Sequence, residues 1–269
     1  MPCLLGGEFH SSVPCQLAVK MLIFYTMSIA CNLEMVLESI NNTAAGSGRD
    51  PSGIKLVAVS KTVELQRILE AVKAGVTALG ENRIQEARDK IGELESQIEP
   101  PLHNIGKGMA EGLEWHLIGN LQKNKAKTAV QIFDLIHSLD SISLADELNR
   151  QAQRINKIQR VLVQVKLSME TVKHGISEES LMGLLEKVSD MAYLKLEGLM
   201  TMPPFFDDPE ETRPYFRKLR KIAEKVSRKG FPVIDLSMGM TNDFQIAIEE
   251  GATILRIGTA IFGGRDNIE

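Results

Sequence analysis

Apolar residues in this chain fall into short continuous runs, separated by stretches where they recur every three or four positions, and the two patterns alternate. The clearest pair opens at 54–62, IKLVAVSKT, where five of the first six residues suit a buried strand and Lys55 is the exception. A polar stop at Ser60, Lys61 and Thr62 follows, and 63–75 then sets Leu65, Ile68, Leu69 and Val72 at helical spacing. A strand followed by a helix on this scale is a βα unit. Further strand-type runs are expected at 76–80, 114–119, 135–139, 160–167, 194–202, 232–238 and 253–262. Helical patterns separate several of them, among them 143–155, 178–189, 212–228 and 243–250. Ahead of the first strand, Ile29, Leu33, Val36, Leu37 and Ile40 form a helical stripe, and 46–53, GSGRDPSG, is a loop. Eight strand runs in sequence without a long insertion predict a single (β/α)8 barrel, a TIM barrel, over residues 27–269. Residues 1–26 carry no such periodicity and are expected to be a non-native or disordered extension, with Met27 as the natural start.

Composition narrows the functional classes. A chain of 269 residues that is 43% hydrophobic can bury a substantial core, and its net charge of -4 gives no electrostatic reason to expect nucleic acid as a partner. The one dense basic run, Arg217, Lys218, Arg220, Lys221, Lys225, Arg228 and Lys229, reads as a solvated helix face. Cys3, Cys15 and Cys31 all fall in the first 31 residues, so no disulfide framework organises the remainder and a reducing compartment fits. The apolar stretch 17–25 is interrupted by Lys20 and is far short of a membrane span; a monomeric cytoplasmic protein with no membrane partner is expected. His10, His103, His116, His137 and His174 are scattered without metal-ligand spacing, and there is no Walker loop, GxGxxG fingerprint or nucleophile elbow.

Candidate chemistry collects at strand ends, where parallel α/β folds place their ligands. Lys61 ends the first strand; taken alone, such a lysine is more often solvated than functional. Two late segments, SMGMT at 237–241 and RIGT at 256–259, bring glycine and hydroxyl residues to strand exits, a composition suited to holding a phosphate on main-chain N–H groups. Arg256 stands between Leu255 and Ile257 in a run that reads as buried, and alternation puts it on the same face as Gly258. A buried guanidinium needs a partner, and spacing leaves open an anion in a shared cavity or an ion pair with Asp235 or Glu197. His116, in step with Glu114 and Ile118, reads as a hydrogen-bonded core residue. A lysine at one strand end and an anion cradle at two others describe a cofactor with both an aldehyde and a phosphate, and pyridoxal 5′-phosphate has both.

The segments AVSKT, GENRIQE, WHLIGNLQKNK, KHGI, GLMTM, SMGMTND and RIGTAIFGGR, in this order, resemble the pyridoxal phosphate homeostasis proteins, the YggS and PROSC family, from about Met27 to Arg265. The resemblance implies a barrel like the N-terminal domain of alanine racemase, with the cofactor held as an imine on Lys61. It further implies phosphate binding by Ser237, Gly239, Thr241, Gly258 and Thr259, Arg256 facing the pyridine nitrogen, and Asn82, His116 and Met200 lining the pocket. Thr241 departs from the family, where serine is common, but keeps the hydroxyl. An arginine against the ring nitrogen disfavours its protonation and weakens the ring as an electron sink. Racemisation also needs a second base; in the racemase relatives a tyrosine from a separate domain provides it, and none of Tyr25, Tyr193 and Tyr215 is well placed in this sequence. The expected function is a carrier without strong turnover, with no catalytic residue, that buffers pyridoxal phosphate or delivers it to apoenzymes. A weak amino-acid racemase is the alternative.

Overall fold

In the computed structural model, which describes residues 28–97, 112–167 and 174–264, Ser28 caps the first helix by accepting the Cys31 N–H on its hydroxyl. The expected extension at 1–26, together with His10, His103 and Lys173, lies outside the described residues. This helix, α1 (Ile29–Gly46), buries Ile29, Leu33, Val36, Ile40 and Ala44. Leu37, expected in that stripe, is instead 41% exposed, because the buried row steps from Leu33 to Val36 and runs on through Ile40 and Ala44, which leaves Leu37 at its edge. Eight units follow in order: β1 (Lys55–Val59) and α2 (Leu65–Lys73), β2 (Ala78–Glu81) and α3 (Ile84–Gln97), β3 (Glu114–Leu117) and α4 (Ala126–Ile132), β4 (Leu135–Leu139) and α5 (Ile142–Arg154). The second half comprises β5 (Gln159–Gln164) and α6 (Glu178–Ser189), β6 (Leu194–Met200) and α7 (Arg213–Ser227), β7 (Asp235–Ser237) and α8 (Phe244–Glu249), β8 (Ile254–Ile257) and α9 (Thr259–Phe262). All strand pairs are parallel, and β1 pairs with both β2 and β8, so the sheet closes into the expected barrel.

Period-two alternation along each strand divides the core in two. Val57, Ala78, Leu135, Leu162, Met200 and Ile254 fill the barrel interior, while their neighbours Ala58, Leu79, Ile136, Val163, Leu199 and Leu255 pack under the helices. The interior changes character at its N-terminal end. There Glu114 accepts hydrogen bonds from Lys55 (2.7 Å) and Arg160 (2.7 Å), and Arg160 also donates to Glu197 (2.8 Å).

Several strands are shorter than their apolar runs, β7 and β8 by the most. β7 begins only at Asp235, after Pro232, whose missing N–H removes a donor from any ladder. β8 ends at Ile257: Gly258 leaves the extended region (φ -117, ψ -73), and its carbonyl accepts the N–H groups of Ile261 and Phe262 (2.9 Å each), winding 259–262 into a helical turn. The basic run on α7 is also not merely solvated. Arg213, Arg217 and Arg220 converge on the Glu250 carboxylate at 3.4, 2.7 and 3.1 Å, tying α7 to the end of α8. Among the described residues no helix is long and apolar enough to cross a membrane.

Candidate functional site

The C-terminal ends of the strands open onto a cavity of about 490 Å³, within the range of small-molecule sites. Lys61, Asn82, Thr241, Arg256, Gly258 and Thr259 all line it, and Phe205, Phe206, Met202 and Met240 add apolar surface. Lys61 is therefore brought to the same space as the two glycine- and hydroxyl-bearing loops, although some 180 residues separate them in the chain.

The turn that carries Lys61 is held from below. Thr62 has φ 60, a left-handed conformation that costs a β-branched residue about 1–2 kcal/mol. Its N–H donates to Glu86 Oε1 at 2.5 Å, and Lys90 Nζ donates to Glu86 Oε1 (2.7 Å), Glu81 Oε1 (2.8 Å) and the Ser60 carbonyl (2.6 Å). Ser60 Oγ donates to Glu81 Oε1 at 2.7 Å, so one ammonium and two carboxylates clamp the main chain on both sides of Lys61. Burial pushes the Glu81 carboxyl above its ordinary range, opposed by the hydrogen bonds from Lys90 and Ser60. Sequence reasoning missed Glu81, Glu86 and Lys90. The available signal was GENRIQE itself, whose Glu86 stands one helical turn before Lys90.

Asn82 reaches the cavity because residue 119 is glycine: a Cβ there would lie 2.3 Å from the Asn82 carbonyl oxygen. Gly239 has φ 93 and would place a Cβ 2.6 Å from Ala247 Cβ, so the turn leaving β7 can follow its path only without a side chain. Arg256 N–H donates to the Gly239 carbonyl (3.0 Å), and the Ala260 N–H reaches Thr241 Oγ1 (3.5 Å), which ties the two loops side by side. Among the described residues, the main-chain N–H groups of Thr241, Asn242, Gly258 and Thr259 meet no acceptor. They form an open set of donors at the cavity wall.

Arg256 is 3% exposed and makes no ion pair among the described residues. Asp235 accepts from Thr253, and Glu197 is committed to Arg160 and Lys195, which excludes the two ion pairs that spacing left open. The guanidinium instead donates to Ser237 Oγ (2.5 Å) and the Thr201 carbonyl (3.0 Å). Burial lowers its pKa to about 10, and Asp243, the turn residue that accepts the Met240 N–H, opposes that shift.

Four of the expected residues stand behind the cavity wall. Ser237 is fully buried against Arg256, and Gly239 supports its turn. Met200 packs in the barrel interior with Val57, Ala78 and Leu162. His116 does not line the cavity: strand alternation carries its ring inward, one layer below Ile118, where it bonds to Glu114 and His137 at 3.0 Å each. That is the core role its spacing suggested.

The chain matches the family described as "Alanine racemase, N-terminal domain" over residues 38–266. It is 42% identical over 238 residues to the pyridoxal phosphate homeostasis protein of Aquifex aeolicus, covering 88% of this chain and 98% of that protein. It is 39% identical over 241 residues to the protein of the same name from Escherichia coli K12, covering 88% and 97%. Among solved structures it resembles PipY of Synechococcus elongatus with PLP bound (TM-score 0.74, 34% identity, 87% of this chain and 100% of that one). Alanine racemase of Clostridium difficile shares the fold at 17% identity (TM-score 0.64, 88% of this chain and 58% of that one). With near-complete coverage at this identity, the chain belongs to the pyridoxal phosphate homeostasis protein family, built on the alanine racemase N-terminal barrel.

Proposed function

We propose that this chain binds pyridoxal 5′-phosphate on Lys61, buffers it and delivers it to apoenzymes. The observation that carries the reading is the convergence on one cavity of a lysine, a buried arginine that makes no ion pair among the described residues, and four main-chain donors that meet no acceptor among them. The cofactor supplies an aldehyde that condenses with an amine, with loss of water, and a phosphate that seeks N–H donors. Lys61 is the amine. Thr241, Gly258 and Thr259, with the adjoining N–H groups, would hold the phosphate, and Arg256 would donate to the ring nitrogen. Asn82 would complete the wall, while Ser237, Gly239, His116 and Met200 support these residues from behind. The clamp of Glu81, Glu86 and Lys90 fixes the main chain that aims Lys61, so the amine is presented rather than searching.

Carriage rather than turnover fits the position of Arg256. A guanidinium at the ring nitrogen repels a proton there, leaving the ring a poor electron sink. The test is to incubate the protein with pyridoxal phosphate, record the absorbance of the bound chromophore, reduce with borohydride and locate the adduct by mass spectrometry. The adduct is expected on Lys61, with the band lost in Lys61→Ala; an adduct on another lysine, or no band in the wild type, defeats the assignment. Transfer to an apoenzyme, read as recovered activity, tests delivery. Racemisation of alanine or serine faster than by the free cofactor would instead make the protein an enzyme.

A further inference from the structure

Below the cavity, buried polar groups run in a line across the barrel interior. Arg256 Nη1 lies 2.5 Å from Ser237 Oγ, and Ser237 Oγ lies 2.9 Å from His137 Nδ1. His137 Nε2 lies 3.0 Å from His116 Nδ1, and His116 Nε2 lies 3.0 Å from Glu114 Oε2 at the opposite end of the barrel. Each of the two imidazoles is fully buried. The donors and acceptors close in only one direction. Arginine has only N–H groups, so Ser237 Oγ must accept from it and spend its single proton on His137 Nδ1. His137 then carries its proton on Nε2 and gives it to His116 Nδ1, and His116 gives its Nε2 proton to Glu114. Every group is satisfied when both rings are neutral, and a positive charge at one end faces a carboxylate at the other.

We propose that His137 is a positioning residue for Arg256: through its unprotonated Nδ1 it holds the Ser237 hydroxyl as an acceptor for the guanidinium, with His116 and Glu114 fixing the tautomer from behind. The inference rests on the cofactor reading above for what Arg256 is positioned to meet. A proton on His137 Nδ1 would aim two sets of N–H groups at one hydroxyl oxygen and leave the serine proton without an acceptor. Burial disfavours a charge on either ring, and the charges that face them strengthen the effect on His137: Arg256 on β8, Arg160 on β5 and Lys55 on β1 all oppose its protonation. Glu114 alone favours a charged His116, and it is already engaged by Lys55 and Arg160.

Two experiments test this. Nitrogen-15 NMR of histidine-labelled protein without cofactor should find His116 and His137 neutral at pH 7, each protonated on Nε2; an Nδ1–H tautomer or a charged ring at either position overturns the proposal. In the second, pyridoxal phosphate binding and the pH titration of the bound chromophore are compared in wild type, His137→Leu and His137→Asn. Asparagine keeps an acceptor near the Nδ1 position and leucine does not. His137→Leu should bind about tenfold more weakly, the effect of one unsatisfied buried group, with a displaced chromophore titration. His137→Asn should restore both to within about threefold, since an amide oxygen replaces the lost acceptor. A folded His137→Leu with wild-type affinity and titration overturns the positioning role. If that variant does not fold, the tautomers in the wild type decide. Wild-type protein that takes up no cofactor defeats the preceding reading, and the NMR result still reports separately on the chain of tautomers.

Discussion

Lys90→Met removes the one ammonium in the clamp beneath Lys61 while keeping most of its aliphatic stem. In the wild type, Lys90 is 12% exposed and bridges Glu81, which is fully buried, Glu86 and the Ser60 carbonyl. Its loss leaves the Glu81 carboxylate with the Ser60 hydroxyl as its remaining described partner, and Glu81 Oε2 already lacks one. Breaking a buried pair by removing one member costs about 3–5 kcal/mol, a large part of the 5–15 kcal/mol that holds a typical domain together. The sign with pH follows from Glu81. Its folded-state pKa is raised, so its favourable contribution is fully present below the ordinary value of 4.5 and is lost as pH rises through the folded value. Without Lys90 that value climbs further, and the deficit of the variant should shrink as pH falls towards 5. Urea unfolding followed by circular dichroism at pH 5 and pH 8 measures both effects. Glu81→Gln in the Lys90→Met background should recover part of the loss at pH 8, because no charge is then stranded. A Lys90→Met protein as stable as wild type at both pH values would refute the reading of the clamp as a charge-compensated unit.

Three further outcomes are expected. Glu114→Gln should destabilise the protein by about 1–3 kcal/mol at pH 7, through the weakened bonds from Lys55 and Arg160. The hydrogen bond from His116, followed by those from Lys55 and Arg160, holds the Glu114 carboxyl well below its usual range; its stabilisation is present above the ordinary value and lost as pH falls towards the folded one, so the acid limb of the variant should be shallower. Gly119→Ala forces a Cβ to within 2.3 Å of the Asn82 carbonyl oxygen unless the main chain moves; it should cost about 1–3 kcal/mol in thermal or urea unfolding and weaken cofactor retention by displacing Asn82. Arg256→Leu removes the buried guanidinium, and the bound chromophore should then titrate differently while the phosphate donors still retain the cofactor, a change read by absorbance across pH.

The alternation of apolar runs determined the barrel. Strand 135–139 and residues 161–164 of β5 are buried at every position, so their sequences lack the apolar/polar alternation of a half-exposed strand, and the intervening helices expose one face and keep a helical period. Lys61, the two late loops and Arg256 were legible for a related reason: each lies at a strand exit, and in a closed parallel barrel all such exits face one mouth. Other features depended on contacts between distant residues that no local pattern carries. The docking of Glu81, Glu86 and Lys90 onto the Ser60–Thr62 turn, the inward path of His116 to His137 and Ser237, and the gathering of three arginines on Glu250 were decided by strand register and helix packing. Local sequence specifies which groups are buried or exposed, whereas the partners of a buried charge are chosen by barrel closure, which sets residues a hundred positions apart within hydrogen-bonding distance.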